Sequence, residues 1–170
     1  MKSIYKRAVA FLLLLVSCNE KESSNNKDKP TVVTKVESEF DKIKLTELDG
    51  TPIDLQQYQG KTLFINFWAT WCGPCIQEMP SIQKAKSSLK DEDIVFLFAS
   101  NEEVEAIEAF KKKQSYDFHY VRVENLEQLK IMALPTTYIF DSNKKLVFSE
   151  MGYRKWDSKN NIDLILNAGK

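Results

Sequence analysis

The chain is 170 residues long, 43% hydrophobic and 28% charged, with 24 Lys and Arg against 24 Asp and Glu and three cysteines. That balance lacks the basic excess that nucleic-acid binding requires, and so few cysteines cannot staple a small secreted fold. Past the N-terminal region about 130 residues remain, enough for one hydrophobic core and not for two.

The chain opens on "MKSIYKRAVAFLLLLVSC", where Lys2, Lys6 and Arg7 precede an apolar run from Ala8 to Val16. Such a run is too short to span a bilayer and reads as the core of a signal peptide. Its end, Leu15-Val16-Ser17-Cys18, resembles the lipobox of bacterial lipoproteins. The resemblance implies removal of residues 1–17 and lipidation of Cys18; an ordinary secretory signal is the alternative, and both readings export the protein. Cleavage removes three basic side chains and no acidic one, leaving 21 against 24, a net charge of about −3. The stretch "NEKESSNNKDKPT" that follows has too little apolar surface to offset its ordering entropy. Residues 18–36 are therefore expected to be a disordered tether, of which the first 13 or so reach about 20 Å. Residues 37–170 form the expected domain.

"FDKIKLTELDGTPIDL" holds two short segments around Asp49-Gly50, a dipeptide suited to a tight hairpin turn. "TLFINFWA", nearly all apolar, predicts a strand buried on both faces, with Phe64, Phe67 and Trp68 as core. From the cysteines onward Ile76, Met79, Ile82, Ala85 and Leu89 fall on one helical stripe, which Pro80 is expected to kink. "IVFLFA" is a second buried strand, and Ser100-Asn101-Glu102-Glu103 has capping-box spacing for a helix carrying Ala106, Ile107 and Phe110. "FHYVRV" predicts a strand nearer the sheet edge, "LEQLKIM" a short helix, and "TTYIF" and "KLVFSEM" a hairpin across residues 141–144. A last helix is expected from Asp157 to Asn167, closed by Gly169. Strands alternating with helices, followed by a hairpin and a terminal helix, predict an α/β fold with a mixed central sheet and helices on both faces.

In "WATWCGPC" the pair Cys72 and Cys75 could be a redox centre, half of a metal site or an inert disulfide. Zinc needs about four ligands, and His119 is the one other soft ligand besides Cys18, so no metal is expected. A peroxiredoxin would place Ser or Thr three residues before its cysteine, where this chain has Ala69.

"WCGPC" is identical to the thioredoxin active-site motif, and "GKTLFINFWATWCGPCIQEMPSIQK" resembles the membrane-tethered, envelope-facing thioredoxin-like proteins that include the cytochrome c maturation thioredoxins. "LPTTYIFD" is similar to that family's cis-proline segment and "LDGTPIDLQQYQGK" to its added N-terminal hairpin, so the likeness runs from about Phe40 to Asn167. The chain departs from the thioredoxin pattern at Asn66, where cytosolic members carry a buried aspartate, and at Ala133, where glycine is usual.

On this resemblance Cys72 sits at a helix N-terminus, where free N–H groups and the helix dipole favour a thiolate, and is the attacking thiol. Cys75, one turn on, is the resolving thiol. Gly73 leaves the sulfurs open to approach, Pro74 occupies the first turn at little cost, and Trp71 covers one side. Pro135 is expected in cis, with Leu134 and Thr136 beside it as backbone partners of an extended substrate. Glu78 stands where the cytochrome-maturation proteins carry a functional glutamate; with Asn66 unable to titrate, a half-buried Glu78 with raised pKa is the expected proton acceptor. No cofactor is implied. The function implied is an envelope-facing, lipid-anchored thiol-disulfide oxidoreductase. Gly-Pro between the cysteines favours a reductant, acting on exported disulfide-bearing proteins such as apocytochrome c and recharged by a membrane thiol carrier. A protein oxidant or isomerase, and a non-catalytic binding module, are the alternatives.

Overall fold

A computed structural model of the chain describes residues 38–169; the expected signal segment, Cys18 and the tether lie outside the described residues. Ser38 accepts the Asp41 N–H and caps a one-turn helix, α1 (Glu39–Lys42). Sequence patterning does not announce this turn, because a single apolar side chain secures it: Phe40, buried edge-on against Phe140. The expected hairpin follows as β1 (Leu45–Thr46) and β2 (Pro52–Ile53), antiparallel. Its turn is longer than a two-residue one. Gly50, at φ +86°, donates to the Glu47 carbonyl at 3.0 Å, and the Glu47 N–H donates to Thr51 at 2.8 Å, the three-residue pattern with glycine in the left-handed position.

After a 3-10 turn at Leu55–Tyr58 comes β3 (Thr62–Phe67), buried at every position. Then follow α2 (Gly73–Ser88), β4 (Ile94–Ser100), α3 (Val104–Lys113), β5 (His119–Val123), a 3-10 turn at Leu126–Leu129, β6 (Thr136–Phe140), β7 (Leu146–Met151) and α4 (Lys159–Ala168). The seven strands form one mixed sheet in the order β2-β1-β5-β4-β3-β6-β7. β3 lies inside it, parallel to β4 and antiparallel to β6.

Because strand side chains alternate, the sheet divides the core in two. Phe64, Phe96, Phe98, Tyr120 and Ile139 face a cluster to which α2 gives Met79, Ile82 and Ala85, α3 gives Ile107 and Phe110, and α4 gives Ile165. Leu63, Ile65, Phe67, Leu97 and Val121 face the other, closed by Phe40, Leu55 and Leu129. The expectation of helices on both faces is thus met unevenly: all three long helices serve one core, and α1 with the two 3-10 turns covers the second.

Four local expectations are corrected. β5 is not an edge strand, because the two-residue β1 pairs with its Arg122 and Val123 on the side away from β4; its His119 is exposed and pairs with Glu47 at 2.9 Å. "LEQLKIM" forms only a 3-10 turn, ended by Lys130 at φ +56°. α4 starts two residues later than predicted, after Ser158 as its N-cap. The capping box at residues 100–103 does not form: Glu103 is the N-cap of α3 and makes no side-chain cap bond. Ser100 and Glu102 are engaged elsewhere.

Candidate active site

Strand register gathers the site. β3 and β4 run parallel with Phe67 opposite Ala99, and β6 sets Thr136 opposite Phe67. The chain leaving β3, the chain leaving β4 and the loop entering β6 therefore meet at one end of the sheet, as strand ends do in α/β folds that bind ligands there.

Leaving β3, Trp68 and Ala69 are buried, and the Cys72 N–H donates to the Ala69 carbonyl at 3.1 Å to close a turn. Cys72 is the N-cap of α2, and its Sγ accepts the Cys75 N–H at 3.3 Å. This is the position where a side chain satisfies a free N–H and where negative charge is favoured. Cys72 and Cys75 are joined as a disulfide. Cys75 is 0% exposed and Cys72 4%, so of the two sulfur residues Cys72 alone reaches the surface.

The neighbours expected at the site take distinct positions. Trp71 is 73% exposed. Gly73 and Pro74 are exposed, and a Cβ on Gly73 would meet nothing within 4 Å. The Leu134–Pro135 peptide is cis, and the Pro135 carbonyl accepts the Gly152 N–H at 2.7 Å. Leu134 is partly buried and packs against both cores. Thr136 is buried, and its hydroxyl donates to the Ala133 carbonyl of the loop at 2.6 Å.

Glu78 is not half-buried but 0% exposed. Three residues beyond Cys75, it lies on the same side of α2. Its Oε1 accepts from Asn66 Nδ2 at 2.7 Å, and its Oε2 accepts from the Arg154 N–H at 3.1 Å and from Trp156 Nε1 at 3.3 Å. Burial pushes its pKa from 4.5 up to about 7, against the opposing pull of the bonds from Asn66, Arg154 and Trp156. The Arg154 guanidinium does not neutralise it: that group bonds Glu150 and Asn161 and packs 5.0 Å from the Phe148 ring centroid.

The segment supplying two of these bonds escapes sequence reasoning. The stretch "GYRKW" reads as a polar connection, yet it ties the site together. Gly152 bonds Pro135, Arg154 and Trp156 bond Glu78, and the Trp156 N–H donates to Ser81 Oγ at 3.0 Å, while that hydroxyl donates to the Glu78 carbonyl. A tryptophan in so polar a stretch was the available signal, since its large apolar surface must be buried somewhere. Asn66 completes the frame. It donates from Nδ2 to Glu78 and to Thr137 Oγ1, at 3.0 Å for the latter, and its buried Oδ1 has no hydrogen-bond partner among the described residues.

The Redoxin family model matches residues 30–166. The thiol-disulfide oxidoreductase ResA of Geobacillus thermodenitrificans is 30% identical over 166 residues, 94% of each chain. The ResA of Bacillus thuringiensis subsp. konkukian is 30% identical over 107 residues, 61% of this chain and 62% of that protein, so the chain spans less than two-thirds of this relative. Among solved structures, a candidate thiol-disulfide oxidoreductase from Bacteroides vulgatus matches with a TM-score of 0.65 at 25% identity, over 74% of this chain and 91% of that one.

Proposed function

The chain belongs to the Redoxin family, and from that footing we propose that it is an extracytoplasmic thiol-disulfide oxidoreductase working through the Cys72/Cys75 pair, most readily as a reductant. The observation that carries this reading is the disulfide placed with Cys72 as the N-cap of α2 and a buried carboxylate, Glu78, on the same helix. Membership with relatives named thiol-disulfide oxidoreductase supports it.

In the reducing direction the Cys72 thiolate attacks one sulfur of a substrate disulfide. A Cys72–substrate bond forms, the substrate S–S bond breaks, and the first substrate sulfur leaves as thiolate. Glu78 takes the Cys75 proton, and the Cys75 sulfur attacks Cys72 Sγ. The second substrate sulfur is released, two electrons have passed to the substrate, and the pair is left as the disulfide described above. A carboxylate with pKa near 7 suits a proton that must be accepted and returned near neutrality. Asn66 cannot take this role, and it serves by holding Glu78 Oε1.

The reading extends to the whole chain. Residues 1–17 are a signal, Cys18 carries a lipid anchor, and residues 18–36 tether the domain above a membrane. The substrate proposed is an exported protein with an exposed disulfide, of which an apocytochrome c with its own C-x-x-C-H is the leading case. A membrane thiol carrier returns electrons to the pair. Equilibration with glutathione tests the direction: the potential is expected near that of thioredoxin, about −270 mV, whereas a value near the oxidant DsbA, about −120 mV, would overturn the reductant reading.

A further inference from the structure

We propose that Glu102 is a positioning residue of the dithiol, its carboxylate fixing the turn that delivers Cys72 to the start of α2; the inference rests on Cys72 being the attacking thiol. In sequence Glu102 belongs to an apparent capping signal, but in the fold it is turned away from α3, whose N-cap makes no side-chain bond. Its two oxygens collect three donors. Oε2 accepts the Thr70 N–H at 2.7 Å and the Ser100 hydroxyl at 3.0 Å, and Oε1 accepts the Thr70 hydroxyl at 2.6 Å. The Glu102 N–H in turn donates to Ser100 Oγ at 3.2 Å, which holds the acceptor in place.

The demand for such a clamp follows from the chain on either side of Thr70. Before it, the Trp68 N–H is fixed to the Ala99 carbonyl at 3.1 Å; after it, Cys72 is fixed by its N–H to Ala69 and by its Sγ to Cys75. Between these anchors Trp71 is 73% exposed. Ala69 and Cys72 are held by burial, and the exposed side of the turn is held through Thr70, whose N–H and hydroxyl both end on Glu102. A carboxylate meeting an N–H and two hydroxyls makes charge-assisted bonds, roughly twice as strong as neutral ones. The loop leaving β4 thus holds the turn through which β3 hands the nucleophile to α2, by a contact spanning 32 residues.

The test compares Glu102→Ala with Glu102→Gln in the full chain. Both remove the charge, so a difference between them reports the rest of the clamp, its hydrogen bonds and the side chain that carries them. A glutamine can still accept the Thr70 N–H through its oxygen and donate to Thr70 Oγ1 through its nitrogen. In the reduced proteins, alkylation of Cys72 against pH and the rate of disulfide exchange are measured. Glu102→Ala is expected to exchange about tenfold more slowly than Glu102→Gln and to show the higher Cys72 pKa, with glutamine within about twofold of wild type. A folded Glu102→Ala equal to Glu102→Gln in both readouts overturns the proposal, as does a Glu102→Gln no better than alanine. Should Glu102→Ala fail to fold, Thr70→Val, which removes one of the three donors, is expected to fall between wild type and the predicted alanine value; an unchanged rate there overturns it equally. A wild-type protein that exchanges no disulfide sinks the reading of Cys72 itself, a result distinct from a working enzyme indifferent to residue 102.

Discussion

Cys72→Ser is expected to reduce disulfide exchange by at least about a thousandfold, since a hydroxyl near neutral pH is not ionised and cannot replace a thiolate nucleophile. The loss should be chemical and not structural. Serine is among the preferred N-cap residues, and its oxygen takes the place from which Cys72 Sγ accepts the Cys75 N–H. The variant is therefore expected to keep its fold, checked by circular dichroism, while the rate of reduction of a disulfide-bearing protein falls to background. Retained exchange would move the attacking role to Cys75, which is fully buried and poorly placed for it.

The second large effect is at Glu78, where one substitution changes both the rate and the pH dependence of stability. Its pKa of about 7 against an ordinary 4.5 means that the folded protein binds a proton more tightly than the unfolded chain. Stability from this group is complete below about pH 4.5 and is lost as pH rises through 7, by about 3 kcal/mol in total. Glu78→Gln should remove that dependence. The amide oxygen can accept from Arg154 and Trp156, and its nitrogen can donate to Asn66, whose unpartnered Oδ1 becomes useful once its amide is turned. Glu78→Gln should thus be the more stable protein at pH 8 and little changed at pH 4. With no acceptor for the Cys75 proton, exchange at pH 7 to 8 is expected to slow by about a hundredfold. Urea unfolding at the two pH values and stopped-flow exchange against pH check the two halves. An unchanged rate profile would remove the proton role and leave Glu78 a buried structural carboxylate.

The cysteines, the strand that precedes them and the helix that follows were legible because each is encoded by neighbours: a continuous apolar run, a proline in the first helical turn and a stripe at helical spacing. Pro135 and Glu78 were reached by resemblance. Local pattern could not reveal which side chains close around Glu78, since Asn66, Arg154 and Trp156 arrive from three separate segments and their meeting is set by strand register. The same limit explains Glu102. Residues 100–103 have the local form of a helix cap, but a partner 32 residues earlier in the chain outcompetes the helix for the carboxylate. α1 stayed invisible for a simpler reason: a single turn anchored by Phe40 has no periodicity to detect.

In the proposed mechanism Cys72 forms, and Cys75 resolves, a mixed disulfide with an exported partner. Cys75→Ser, expressed as the full chain in cells, tests it most directly. Non-reducing gels followed by mass spectrometry should show partner proteins joined to Cys72, released by a thiol reductant and missing from the Cys72→Ser/Cys75→Ser double variant. Finding no adduct, or adducts that survive the loss of Cys72, would contradict the account.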